Sequence, residues 1–431
     1  MAPPPPAPVV DPEIDPNEDP AAGPGAAPEA PGDEDEDTIV VTGSRLPSDP
    51  ADSEARSRVA ECLILETCIG VDILFGSNRE ILFGEETETF NRFGRSPETP
   101  FKSTNAGELT LGEIFVTVPT KRDAGVISRP PEVMGRRIGF RLDPQKHFVF
   151  VDYGPLSRDA FGGRIDAADS AFLFVHGFNV SFKSAAMRAA QLKVDGGYDG
   201  QAMIFSWPTQ HYDPSPTSPL PRDAYEASRR EAEAARAQFR EFLDLIVART
   251  DSRKVHIIAH SMGNYMMMET LAALRDAAGS DGAPVFGEII FAAPDVDRDE
   301  FSALARRIDG LGSGMTLYAS SKDFSMEVSR KLCELRVGAP CPPRAGDAPA
   351  GEGPIVLSGL GIDTIDASNL PNRFFLPTDE HDYFGGDIQI IRDIAALMRT
   401  RQRAPRTLTL NAADAGAGRY WIFPCAAGYS C

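Results

Sequence analysis

The chain has 431 residues, 42% of them hydrophobic, and a formal charge of −20. That length holds one large domain or two ordinary ones, with apolar content sufficient for a real core. The acidity excludes nucleic acid as a partner, since phosphate binding needs clustered Lys and Arg. No stretch approaches the roughly 20 apolar residues of a membrane span.

Residues 1–60 are rich in Pro, Ala, Gly and acid, bury too little to fold, and read as a disordered head. Much of the acidity lies in residues 11–37. Met1–Pro6 lacks the basic and apolar regions of a signal peptide, so the protein is cytosolic or a signal lies outside this sequence. From about residue 70, strands and helices alternate. Val71–Phe75, Ile114–Val118 and Phe148–Val151 are short β-prone runs. Phe172–Val175 and Met203–Trp207 are continuous apolar runs, as expected of strands buried on both faces. Asp223 to Arg249 reads as one long amphipathic helix. Next come a strand over 255–259, a helix over 263–275, strand Glu288–Ala292, a helix near 298–308 and strand Met315–Ala319. A Pro/Gly-rich loop spans 338–354. Ile362–Ile365 precedes the run Leu370–Pro377, and Asp387–Arg399 is the last helix. This alternation predicts an α/β fold: a mostly parallel central sheet with helices on both faces. The predicted division is a head (1–60), a folded body (61–400) and a C-terminal tail (401–431).

The six cysteines form three close couples: Cys62 with Cys68, Cys333 with Cys341, and Cys425 with Cys431. Such spacing fits disulfides, and equally six reduced thiols. With no C-x-x-C and no nearby His, no metal site is expected. No cofactor is implied.

Chemistry concentrates at Val255–Asn264. An apolar strand breaks at Ser261 between small residues and continues as a helix, the pattern of a G-x-S-x-G nucleophile elbow with Ala259 as its first small residue. Hydrolases of that architecture carry Ser, acid and His in chain order. Of six histidines only His381 follows Ser261, making it the expected general base. The acid is sought among Asp295, Asp297, Asp323, Asp363 and Asp366. Asp323, two strands after the elbow strand, is favoured; Asp295 is the runner-up, its other role being to cap the next helix in competition with Asp297 and Asp299. An oxyanion hole needs two N–H groups, expected from Met262 and, in the loop His176–Asn179, from Phe178. Gly177, Asn179 and Trp207 are expected to line the substrate. His176 and His260 read as structural. Gln210–Pro221 and 338–354 are candidate rim loops, the second fixed at its base by Cys333 and Cys341.

Together, Val71–Arg79, Leu111–Pro119, Phe174–Asn179, Phe205–Pro208, Ala259–Asn264, Ala292–Asp295, Ser320–Asp323 and His381–Phe384 resemble the esterase/lipase superfamily. Within it they resemble a bacterial group catalogued as a domain of unknown function. The resemblance covers roughly residues 70 to 397. It implies the α/β-hydrolase fold, a Ser261–Asp323–His381 triad, and a small-molecule or lipid ester as substrate, without naming one. The same triad serves an acyltransferase or amidase. Asp37–Arg45 resembles the segment that opens the plug of TonB-dependent outer-membrane receptors. With the cysteine couples it favours a periplasmic or exported location, and it motivates a rival reading: an interaction module that meets an envelope protein through its head.

Overall fold

The computed structural model describes residues 50–81, 101–129, 132–133, 136–137, 143–210, 222–249, 251–278, 285–370, 383–406, 408–412 and 418–425. The 37–45 segment, residues 211–221 of the first rim loop, His381 and Cys431 lie outside them.

The elements follow the predicted alternation. Helix α1 (Pro50–Ile64) precedes strands β1 (Cys68–Ile81) and β2 (Phe101–Pro119), the two-residue pair β3 (Glu132–Val133) and β4 (Arg136–Arg137), and β5 (Val149–Pro155). Then come α2 (Arg158–Asp166), β6 (Ala171–Val175), α3 (Phe182–Gly196) and β7 (Gln201–Ser206). Helices α4 (Arg222–Ala234) and α5 (Arg236–Arg249) lead to β8 (Val255–His260), α6 (Met262–Ala278), β9 (Phe286–Ala292), α7 (Arg298–Arg307) and β10 (Gly312–Ala319). The chain continues through α8 (Phe324–Val337), β11 (Ile362–Asp366), α9 (Tyr383–Gly386), α10 (Ile388–Thr400), β12 (Thr409–Ala412) and β13 (Arg419–Ile422).

Every residue of β6, β8 and β9 is buried, which is why β6 is continuously apolar and only His256, His260 and Glu288 interrupt the apolar runs of β8 and β9. They lie at the centre of one sheet ordered β12-β13-β11-β10-β9-β8-β6-β7-β1-β2-β5. Pairings from β13 to β1 are parallel; β12, β2 and β5 join antiparallel at the edges. Helices α3 and α10 cover one face, packing around Phe174, Ala189, Ile391 and Ile394; α4, α5 and α6 cover the other around Phe205, Phe239 and Met266. From β6 the chain runs outward to β7, then returns past β6 to β8 and proceeds the other way through β9 and β10. The order therefore reverses between β6 and β8, and open α/β sheets bind ligands in the crevice beyond the strand ends at such a point.

Four differences from expectation have local causes. The long helix is two, α4 and α5, meeting at Ala235, with Ala235 N–H to Glu231 O and Phe239 N–H to Ala235 O running through the junction. The head is not unstructured up to residue 60, because α1 buries Val59 and Cys62, and Cys62 is disulfide-bonded to Cys68 in β1. The 401–431 segment is not a separate tail: β12 and β13 extend the sheet beside β11. Helix α8 occupies residues to which the sequence assigned no element, started by Asp323 and ended by Gly338 at φ 73°. Cys333 pairs with Cys341 at the base of the 338–354 loop, and Cys425 is also disulfide-bonded. No helix among the described residues is long and apolar enough to cross a membrane.

Candidate active site

Strand β8 ends and α6 begins with Ser261 between them at φ 53°, a left-handed conformation that L-residues other than Gly, Asn and Asp seldom adopt. Three bonds hold that strained turn. Ser261 N–H donates to Ala292 O (3.0 Å), Asp295 N–H donates to Ser261 O (3.2 Å), and Asn264 Nδ2 donates to Ala259 O (3.0 Å). The small flanking residues answer real crowding. A Cβ on Gly263 would sit 2.5 Å from His176 O, and one on Gly177 would sit 2.7 Å from Ser261 Cβ and 3.2 Å from its Oγ. Gly177 is thus required by space beside the serine.

The loop after β6 lies directly against the elbow beyond the C-terminal ends of β6 and β8, and it is held from several sides. Trp207 Nε1 donates to His176 O (2.9 Å), while Val180 O accepts from Arg79 Nη2 (2.8 Å) and Thr209 Oγ1 (3.1 Å). The His176 ring stacks on Trp207 at 5.4 Å and 4°, with Nε2 3.1 Å from Ser206 Oγ. Burial first, and the Arg79 guanidinium second, push the His176 pKa down to about 3, so its ring is neutral at ordinary pH. Phe178 meets the edge of Tyr225 at 5.7 Å, and Asn179 sits at φ 56°. Met262 is the first residue of α6, so its N–H is one of those a helix start leaves without an intrahelical acceptor. Trp207, expected against the substrate, is fully buried, its indole committed to His176; it supports the loop from behind.

Of the acids, Asp295 is buried with both oxygens occupied. Oδ2 accepts from Tyr225 Oη (2.8 Å), Oδ1 from Ser329 Oγ (2.5 Å), and Arg344 Nε lies 3.4 Å from Oδ1. Asp297 caps α7 through Asp299 and Glu300 N–H groups. Asp363 accepts from Ala404 N–H and pairs with Arg403 at 3.1 Å. Asp366 turns back on Ser368 N–H, and burial raises its pKa. Asp323 is buried at the C-terminal edge of the sheet after β10 and caps α8 by accepting from Ser325 N–H (3.0 Å).

His381 lies outside the described residues, but both flanks of its segment are placed. Before it, Lys322 Nζ donates to Leu370 O (3.1 Å) and Ser321 N–H to Ser368 Oγ (2.8 Å), which anchors the chain beside Asp323. After it, Phe384 is buried against His260, the residue before Ser261, with ring centroids 5.3 Å apart, and against Phe174 of β6. The sequence missed the supporting residues Arg79, Ser206, Thr209 and Tyr225. The first two sit in the Val71–Arg79 and Phe205–Pro208 stretches that carried the resemblance without a role. No group of side chains suited to a metal ion occurs among the described residues.

Residues 161–385 match the family model described as alpha/beta hydrolase of unknown function (DUF900). No curated protein matches the chain. Among solved structures, an esterase of Pyrobaculum calidifontis aligns over 82% of this chain and 94% of its own, at 11% identity and a TM-score of 0.31. A thermostable esterase of Pseudomonas putida aligns over 83% and 94%, at 10% identity and a TM-score of 0.33. The family match spans just over half of the 431 residues, so the chain belongs to this α/β-hydrolase family.

Proposed function

We propose that the protein is a serine hydrolase of carboxylic esters that works through an acyl-enzyme on Ser261. The observation carrying this is the strained Ser261 turn packed against Gly177 at the sheet's switch point, the elbow geometry that serves a serine nucleophile. In this reading His381 takes the Ser261 proton as Oγ attacks the carbonyl carbon. The oxyanion is held by the N–H groups of Phe178 and Met262. The tetrahedral intermediate collapses, the C–O bond to the alcohol breaks, and His381 returns the proton to the leaving oxygen. Water, deprotonated by His381, then cleaves the acyl-enzyme. Asp323 orients and charge-stabilises the imidazole.

Two supports bear on the base and the acid. The anchors at Leu370 and Phe384 tie the His381 segment to the neighbours of Asp323 and of Ser261, and three residues of chain reach at most about 11 Å from Phe384. Asp295, the alternative acid, is instead engaged in a buried network with Tyr225, Ser329 and Arg344. The test is turnover of a p-nitrophenyl ester series by wild type and Ser261→Ala. The proposal expects turnover that depends on acyl length and disappears in the variant; undiminished turnover in Ser261→Ala rejects it.

A further inference from the structure

At the opposite edge of the sheet, where β6, β7 and β8 begin, lies an open cleft of about 660 Å³. Its charge runs against the rest of the chain. Acids outnumber bases 63 to 43 overall, yet the cleft wall holds Arg164, Lys193, Lys254, Arg399 and Arg401 against Asp169 and Asp199 only. Arg164 is paired with Glu113. The other four bind backbone carbonyls and, among the described residues, pair with no carboxylate.

By the carbonyls they bind, these four fall into two couples. Lys193 Nζ reaches Gly200 O (2.7 Å) and Arg399 Nη1 reaches Gly196 O and Gly197 O (2.7 and 2.8 Å), so both gather where α3 ends. Lys254 Nζ reaches Ala168 O (2.7 Å), while Arg401 Nη2 reaches the carbonyl of the neighbouring Arg253 (2.8 Å). Carbonyl bonds fix the side chains without cancelling their charge, and a guanidinium has five donors and an ammonium three. Each couple therefore keeps donors and a positive charge, offset in part by Asp199 and Asp72 near Lys193 and by Asp251 near Arg401. Between them stand Tyr198, whose hydroxyl bonds Ser170, and apolar surface from Met398 and Ala167. The volume suits a small molecule better than a polymer.

We propose that this cleft binds a small organic diphosphate. One phosphate would meet the Lys193–Arg399 couple, the other the Lys254–Arg401 couple, with the organic part against Met398 and Ala167. Two couples of cations, each with a guanidinium fork, match two tetrahedral anions better than one compact charge. The proposal is independent of the chemistry at Ser261.

Calorimetric titration of the full chain with ADP and with pyrophosphate at low salt tests this, with citrate as the polycarboxylate control. Both diphosphates should bind, and citrate should bind about tenfold more weakly or worse. Lys193→Gln/Arg399→Gln and Lys254→Gln/Arg401→Gln should each weaken ADP by about tenfold or more. Since these side chains also hold carbonyls, the melting temperature of each variant is read first. Arg401→Gln alone, expected to weaken ADP about threefold, carries the test should a double variant unfold. No heat from either diphosphate at about 5 mM, citrate as tight as ADP, or wild-type affinity in Arg401→Gln would overturn the proposal. Pyrophosphate binding without ADP binding would overturn its organic half.

Discussion

Asp295 and Asp323 follow consecutive strands, β9 and β10, at the same edge of the sheet, and both are buried. Their surroundings differ in kind. Asp295 is the centre of a network drawn from α4, α8 and the 338–354 loop, with Tyr225, Ser329 and Arg344 all on it. Desolvation and the nearby Asp295 charge raise the Tyr225 pKa, so the phenol stays protonated and donates. Asp323 instead caps α8 and sits beside the anchored entry to the His381 segment. A buried carboxylate surrounded by fixed donors is a structural part.

Substitution separates the two acids. Asp323→Asn should lower kcat on a p-nitrophenyl ester by about 10⁴-fold, the scale seen when a triad acid is lost. Its melting temperature should hardly move, because Asn caps a helix as well as Asp. Asp295→Asn should do the reverse. It leaves Arg344 buried without its counter-charge, at a cost of about 3 kcal/mol in urea unfolding, while kcat falls far less. If Asp295→Asn abolishes turnover in a folded protein and Asp323→Asn does not, the assignment is inverted.

A smaller effect probes the loop that Tyr225 and Trp207 support. Trp207→Phe keeps the packing but leaves His176 O without its donor, a loss of about 1–3 kcal/mol. It should raise KM less than it lowers kcat, since the oxyanion donors are what shift. An unchanged kcat would show that the loop does not depend on this bond.

Acid sensitivity is the mildest expectation. His176 is held near 3 and His256 near 4, chiefly by burial, against 6.5 for a free imidazole. The unfolded chain therefore takes up protons first, and the stability of the neutral rings is complete above pH 6.5 and lost as pH falls toward 4 and 3. The melting temperature should begin to decline near pH 6.5, above the range in which carboxylates titrate. A flat profile down to pH 5 would contradict the burial of these rings.

Legibility in the sequence follows burial. Strands β6, β8 and β9 were readable because both faces are covered: β6 is wholly apolar, and only His256, His260 and Glu288 interrupt the other two. Helix α3 was not, because apart from Phe182 and Leu192 its buried face is Ala185, Ala186, Ala189, Ala190, Gln191 and Gly196, small or polar residues that make a weak stripe. Helix α1 hid in the polar head because its burial rests on Val59 and Cys62. The elbow is local, so its ten residues announce it. The partners of Asp295 come from three distant segments, and the supports of the His176 loop from β1, β7 and the chain after it. No local pattern can show that Asp295 is taken or that Trp207 faces inward.

The central claim is that Ser261 is the nucleophile. Labelling the folded protein with a fluorophosphonate and mapping the adduct by peptide mass spectrometry tests it most directly. The account predicts one adduct, on the peptide carrying Ser261, absent from Ser261→Ala and strongly reduced in Asp323→Asn. An adduct on another residue, or equal labelling of Ser261→Ala, would contradict it.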